Sequence, residues 1–389
     1  MAARTPARIS RKDLREPFNG PAVIENVKHL ASYSWIEASV PTIAVPGIPP
    51  RWSPPATPRP LRKDSGLVYI AQNDARYPQS PLEPLFRSLF IADPEFDVGR
   101  VDFITDRNNI RKLLSFIDPS SSRNGLESFK ISVEAVGSTM LLSRIETKTT
   151  EVIAPHEFRG YGHEFEKAYT RCQLSDSTGY HRIVSYRFGG LSLIVRHEVD
   201  GYVSQPRSTT SSRSTTEDDG LAGLLGSLSL TTPGSAPSRA PAYTPPGSKM
   251  VIREEGMVVP LDSTLEIKTR VSHKQLDFQE IAAQLWASQT PKLVRAYHNR
   301  GLFQDTSVED VAGKVKAWEL ANQKHLKRLV ALLRWISMEV RNCGGRAVVE
   351  CDHTSDRITV VPMVGAGRML PQNLYARWRL GDKARAQRG

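Results

Sequence analysis

Two short acidic runs carry the chemistry of this chain, Glu198-Val199-Asp200 and Glu266-Ile267-Lys268. Each follows an apolar, strand-forming stretch: Leu191–Val195 lies before the first and Met257–Leu261 ahead of the second. Side chains alternate across a strand, so Glu198 and Asp200 share one face, and Glu266 and Lys268 share another. If the two strands pair, three carboxylates and an ammonium meet on one patch. Carboxylates that close cannot all ionise unless a cation joins them. An all-oxygen ligand set selects magnesium or manganese over zinc. The result is a phosphodiester-cutting centre in outline. The plainer alternative is a solvated strand face with a weak cross-strand ion pair. The paired Glu-x-Asp, with apolar residues on its opposite face, favours the first reading.

The elements that must position these residues follow from the rest of the chain. Its 389 residues are enough for one large domain or two ordinary ones, and 39% hydrophobic with 24% charged content fits a soluble globular protein with some disordered ground. Residues 1–20 are polar, basic and without period, and read as a disordered N-terminus. Residues 21–65 are proline-rich and read as an extended arm anchored by Leu30, Tyr33 and Trp35. Pro84–Ile91 has helical spacing. Val101–Arg107 reads as a strand, followed by a helix over Asn108–Phe116 with Ile110, Leu113 and Leu114 on one side. Phe129–Val136 and Thr139–Ile145 alternate as strands about Gly137-Ser138, a hairpin signal. A helix after Arg159–Gly162 carries Glu164, Phe165, Glu166 and Tyr169. Tyr180–Ser185 and Leu191–Val203 are further strands.

Residues 204–248 are dominated by Ser, Thr, Gly and Pro and read as a flexible insertion between the two acidic strands. Such an insertion is tolerated because loop-closure entropy grows only logarithmically with length. Beyond it, a helix over Asp277–Ser288 buries Phe278, Ile281, Leu285 and Trp286 and turns Gln284 toward the strand ends. Lys292–Tyr297 reads as a strand, and Val308–Val340 as a long helix in one or two pieces. Arg346–Val349 with Arg357–Val361 forms a terminal hairpin, and 373–389 is a basic C-terminal tail, read as frayed from Arg377 onward.

The net charge of +11 favours a polyanionic partner, nucleic acid first; a basic surface that serves solubility alone is the alternative. No run approaches the ~18 apolar residues of a membrane span, so no membrane partner is expected. The first residues lack the apolar core of a secretory signal. Cys172, Cys343 and Cys351 are spaced for neither a disulfide framework nor a zinc knuckle, which implies a reducing compartment.

Taken in order, the motifs resemble the DXO-type decapping exoribonucleases, a family that includes the fungal nuclear partner of the processive 5′-to-3′ exonuclease. Asp102–Arg107 through Lys112-Leu113-Leu114 looks like the family's first motif, with its arginine at Arg107. Gly162-His163-Glu164-Phe165-Glu166 looks like the second, with its acid at Glu166. Glu198-Val199-Asp200 and Glu266-Ile267-Lys268 match the third and fourth, and Gln284 sits where the following helix supplies a glutamine. The resemblance runs from about Pro21 to Pro371, with departures at Gly201 for cysteine, His163 for tyrosine and Asp106 for tryptophan.

The resemblance implies an α+β fold: a single large domain with a mixed β-sheet core of the PD-(D/E)xK nuclease type flanked by helices, interrupted by the insertion. It also implies two magnesium or manganese ions held by Glu166, Glu198, Asp200, Glu266 and the Ile267 carbonyl. Lys268 and Gln284 would orient water and the scissile phosphate, and Arg107 would contact an RNA phosphate. The substrate implied is the 5′ end of RNA carrying a triphosphate or an incomplete or non-standard cap. A 5′–3′ exoribonuclease is the implied protein partner, and the nucleus the implied residence, with the cytoplasm as the alternative. Three residue readings stay open: Arg107 as a structural ion pair, Glu164 in place of Glu166, and Gln284 as an ordinary polar helix residue. So do two functional ones, a DNA nuclease of the same fold and a non-catalytic RNA-binding cofactor of an exonuclease.

Overall fold

The computed structural model describes residues 5–15, 20–122, 124–204, 241–363, 365 and 367–378. The hairpin about Gly137-Ser138 forms as expected, with Val136 opposite Thr139. It lies within an 11-stranded mixed sheet. Four strands and one helix of this sheet region matter most: β1 (Ile24–Ile36), β2 (Phe103–Asp106), helix α1 (Arg107–Ile117), β3 (Ser177–Phe188) and β4 (Leu191–Glu198). β2 runs parallel to β4, which pairs antiparallel with β3, which in turn pairs with β1.

β1 corrects one expectation. Ile24–Ile36 is no wrapping arm but a 13-residue strand between β3 and the strand Thr42–Gly47, with Tyr33 and Trp35 fully buried. Between Pro21 and Pro41 the chain holds no proline, so the strand keeps its full ladder of amide donors.

A second sheet carries the other acidic run. Its central members are β5 (Gly201–Tyr202), β6 (Thr264–Val271) and β7 (Lys292–Asn299). Helix α2 (Gly162–Tyr169) packs Phe165 and Tyr169 against this sheet. The main sheet is covered on one face by α1, by α3 (Gln279–Ser288) and by the helix Gln323–Asn342. Its other face is covered by Glu83–Ala92 and by the helical stretch 372–378. The α+β architecture with flanking helices is therefore as expected.

The pairing of the acidic strands is not. β4 stays in the large sheet, and the chain leaves it at Val199-Asp200 to enter the second sheet, where Gly201 faces Leu265 and Tyr202 faces Thr264. Glu198 and Asp200 thus belong to the seam between two sheets rather than to one strand face. Close approach explains the crossing. Tyr202 donates its N–H to the Pro50 carbonyl at 2.9 Å, and a Cβ at position 201 would stand 3.1 Å from that same oxygen. Glycine where the resembling family has cysteine lets residues 50–52 close on this strand.

Other boundaries shift as well. Ala7–Ser10 is an edge strand on Arg357–Pro362, within the stretch read as disordered. Val308–Asp310 is a short strand on β7, so the long helix divides into Ala312–Ala321 and Gln323–Asn342. In the tail, Leu374, Tyr375 and Trp378 are buried, so the helical stretch 372–378 packs on the domain and Arg377-Trp378 belong to it rather than to a frayed end. Most of the insertion read at 204–248 lies outside the described residues, as does the tail from 379; of the insertion's far end, Tyr243 bridges to Ile252.

Candidate active site

The site assembles where α1, β4, β6, α2 and α3 meet. β2 runs directly into α1, so Arg107 stands at the helix start, beside the end of β4. Asp106 fixes that junction. Its carboxylate accepts from Arg196 Nε at 2.6 Å and Nη2 at 2.9 Å, and the same guanidinium donates to Tyr33 Oη and the Pro81 carbonyl. Where the resembling family places tryptophan, this chain bolts two parallel strands together with a buried ion pair.

Glu266 is the point of convergence. It is 2% exposed, and Arg107 Nη1 donates to its Oε2 at 3.0 Å. Lys268 Nζ and Gln284 Nε2 both donate to Oε1. Three residues predicted for the site therefore come together on a fourth, from a helix start, a strand and a second helix. Lys268 lies two residues along the same strand face, as alternation requires. The ion-pair role of Arg107 is realised, and Gln284 points inward from α3 rather than to solvent.

Asp200 meets the same strand differently. β5 pairs with β6 only as far as Leu265, and beyond it the Asp200 carboxylate accepts the Ile267 N–H at 2.7 Å. A side chain thus takes the place of a strand partner. Glu166, on α2, faces this group, with Asp200, Lys268, Glu198 and Glu266 as its charged neighbours. Of the two acids of α2, Glu164 turns to Lys167 at 2.8 Å, and Glu166 turns toward this group.

Glu198 ends β4 with its side chain open to solvent, yet protein surrounds it closely enough that desolvation lifts its pKa. Openness and crowding together describe the floor of a cleft. One wall is set by Gly179, where a Cβ would lie 2.2 Å from Gln72 Oε1 and 3.0 Å from Glu198 Oε1.

Electrostatics divide the acids into two kinds. Burial alone would raise Glu266, but Lys268 and Arg107 overcome it and hold its carboxyl down at about 2. Burial and the Glu266 charge push Asp200 up to about 7. Glu166 is raised well above the ordinary range, first by burial and then by Asp200. Lys268 is raised by Glu266 and Asp200 against its own desolvation, and stays charged. Carboxylates driven to hold protons by one another are groups that a divalent cation would relieve. As they stand, no three acid, histidine or cysteine side chains among the described residues form a ready ligand cage. The donor set nonetheless fits a hard cation in kind: carboxylate oxygens only, crowded at one point and beside the backbone of Ile267.

Sequence reading did not find Arg111 or Gln72. Arg111 was legible in principle, four residues after Arg107 on an amphipathic helix. Gln72 reaches the cleft through tertiary packing and leaves no local signal.

Solved structures share this fold. Rai1 of Candida albicans, solved in complex with pU5-Mn2+, superposes with a TM-score of 0.60 at 11% identity, covering 97% of this chain and 100% of that one. Rai1 of Scheffersomyces stipitis, solved with (3′-NADP)+ and a calcium ion, gives 0.58 at 12% identity over 98% and 100%. Dxo1 of K. lactis, solved with manganese, gives 0.50 at 11% over 94% and 100%. The resemblance read from the motifs thus holds at the level of the fold. No curated protein matches the chain in sequence. A family model does, across residues 21–378, and the chain belongs to that family, described as Domain of unknown function (DUF8563).

Proposed function

We propose that this protein is a divalent-metal-dependent hydrolase of RNA 5′ ends. It would remove incomplete or non-standard caps and then nucleotides in the 5′-to-3′ direction. The observation that carries this reading is the convergence of Arg107, Lys268 and Gln284 on Glu266, beside Asp200 and Glu166. Support also comes from the fold shared with Rai1 and Dxo1 structures that hold pU5-Mn2+, (3′-NADP)+ with calcium, or manganese.

Glu166, Glu198, Asp200, Glu266 and the Ile267 carbonyl would hold magnesium or manganese, two ions by the family resemblance. When bound, such ions neutralise phosphate charge and lower the pKa of water. The chain's own groups do the rest. Glu266 is ionised across the working pH range and anchors Lys268, Arg107 and Gln284 against the floor of the cleft. Lys268 keeps its ammonium and stabilises negative charge developing on the phosphate. Gln284 orients a water through its amide. Residence in the nucleus and association with a 5′–3′ exoribonuclease belong to the same proposal, on the resemblance alone.

The test is hydrolysis of 5′-phosphorylated RNA, and of DNA of the same sequence, with magnesium or manganese. Wild type should cleave RNA, and Glu266→Ala should be slower by at least about 10²–10³-fold, the scale of losing one preorganised charge. Equal rates for the two proteins would remove the assignment. Faster turnover of DNA would favour a DNA nuclease, and RNA binding without turnover a non-catalytic cofactor.

A further inference from the structure

Arg111 lies on α1 four residues after Arg107, one helical turn or about 5.4 Å further along the axis. Residues four apart share a helix face, so Arg111 lies on the same side of α1 as Arg107, close enough for the two charges to repel. Arg111 is half-buried, and its charged neighbours are Arg107, Glu266 and Glu127. Neither acid is free for it. Both oxygens of Glu266 are taken by Lys268, Gln284 and Arg107. Glu127 lies exposed and accepts from Asn124 Nδ2 at 2.8 Å. Among the described residues, Arg111 makes no hydrogen bond or ion pair.

Burial and the Arg107 charge both work against this guanidinium, which nevertheless stays protonated. A half-buried cation with two carboxylates nearby but none ion-paired to it, five forked donors and a like charge alongside is a poor structural element. It is a well-made receptor for an oxyanion. Arg107 cannot fill that role in the same way while Glu266 holds it.

We propose that Arg111 is a phosphate clamp of this site: it grips the substrate phosphate next to the scissile one, while Arg107 braces Glu266. This rests on the reading of the protein as an RNA 5′-end hydrolase and assigns one of its substrate contacts to a residue outside the motifs. The ligand is a phosphate monoester or diester in a single-stranded ribonucleotide chain.

The test measures binding of a short, fluorescein-labelled, 5′-phosphorylated oligouridylate to the full-length protein by anisotropy, in chelator and over a range of salt. Arg111→Ala should weaken binding about tenfold or more and flatten the salt dependence by about one counter-ion. Arg111→Lys should recover part of the affinity, and it serves as the folding control for the alanine variant. In turnover with manganese, KM should rise more than kcat falls. Binding and salt slope within about twofold of wild type would overturn the proposal. If wild type cleaves RNA and Arg111→Ala matches it, only this inference falls. If wild type neither binds nor cleaves RNA, the hydrolase reading falls and takes the clamp with it.

Discussion

At the scale of single residues, the two carboxylates flanking the sheet seam are tuned in opposite directions by what they touch. Glu266 has two cations within reach and is held low against its burial; Asp200 is lifted to about 7 by burial and the Glu266 charge, against the opposing pull of Lys268 and the Ile267 N–H. Beneath the cleft, His29, His181 and His197 are all pushed down, each chiefly by burial. His29, depressed from 6.5 to about 4, gives a pH prediction. Its folded form resists protonation while the unfolded chain accepts a proton below 6.5, so its stabilisation is complete above 6.5 and is lost as pH falls toward about 4. The thermal midpoint of His29→Gln should therefore drop less than that of wild type across this interval. Parallel curves would show that His29 does not titrate as its surroundings require. The acids and the lysine of the site were legible because alternation and short spacing keep their signal within a few residues. The buried His181 and His197 and the half-buried His29 were not, since only the packing of three strands removes them from water.

At the scale of elements, Asn73 ties the short helix Gln72–Arg76 to β1. Its Oδ1 accepts from Tyr33 Oη at 2.6 Å and Trp35 Nε1 at 2.9 Å, all in the interior. Asn73→Ala would leave two buried donors unsatisfied, at a cost of about 3 kcal/mol measured by urea unfolding. A loss below about 1 kcal/mol would mean that these donors find water instead. Such a contact shows why β1 was misread. The proline count of the surrounding segment suggested an arm, whereas the proline-free run Ile24–Ile36 is a long central strand whose aromatic residues are claimed from the far side of the sheet. The helices α1 and α3 and the 129–145 hairpin were readable, because their periodicity and turn chemistry are local. The crossing from β4 to β5 was not, because it depends on the approach of residues 50–52 to Gly201.

At the scale of the molecule, the charged centre is shared between distant parts of the chain. Arg107, Glu166, Glu198 and Asp200 precede residue 205, and Glu266, Lys268 and Gln284 follow residue 240. The sheets enforce this partition, since β5 lies between the strand Arg51–Trp52 and β6, and Thr42–Gly47 borders the strand Val251–Gly256. Cleavage rates of the fragments 1–204 and 241–389, alone and mixed, should be nil separately and partly restored together; activity in either fragment alone would contradict the shared centre. On the proposed hydrolase reading, a protein severed in this way would become a pair of mute halves whose reunion announces itself by enzymatic output, a natural basis for a complementation sensor.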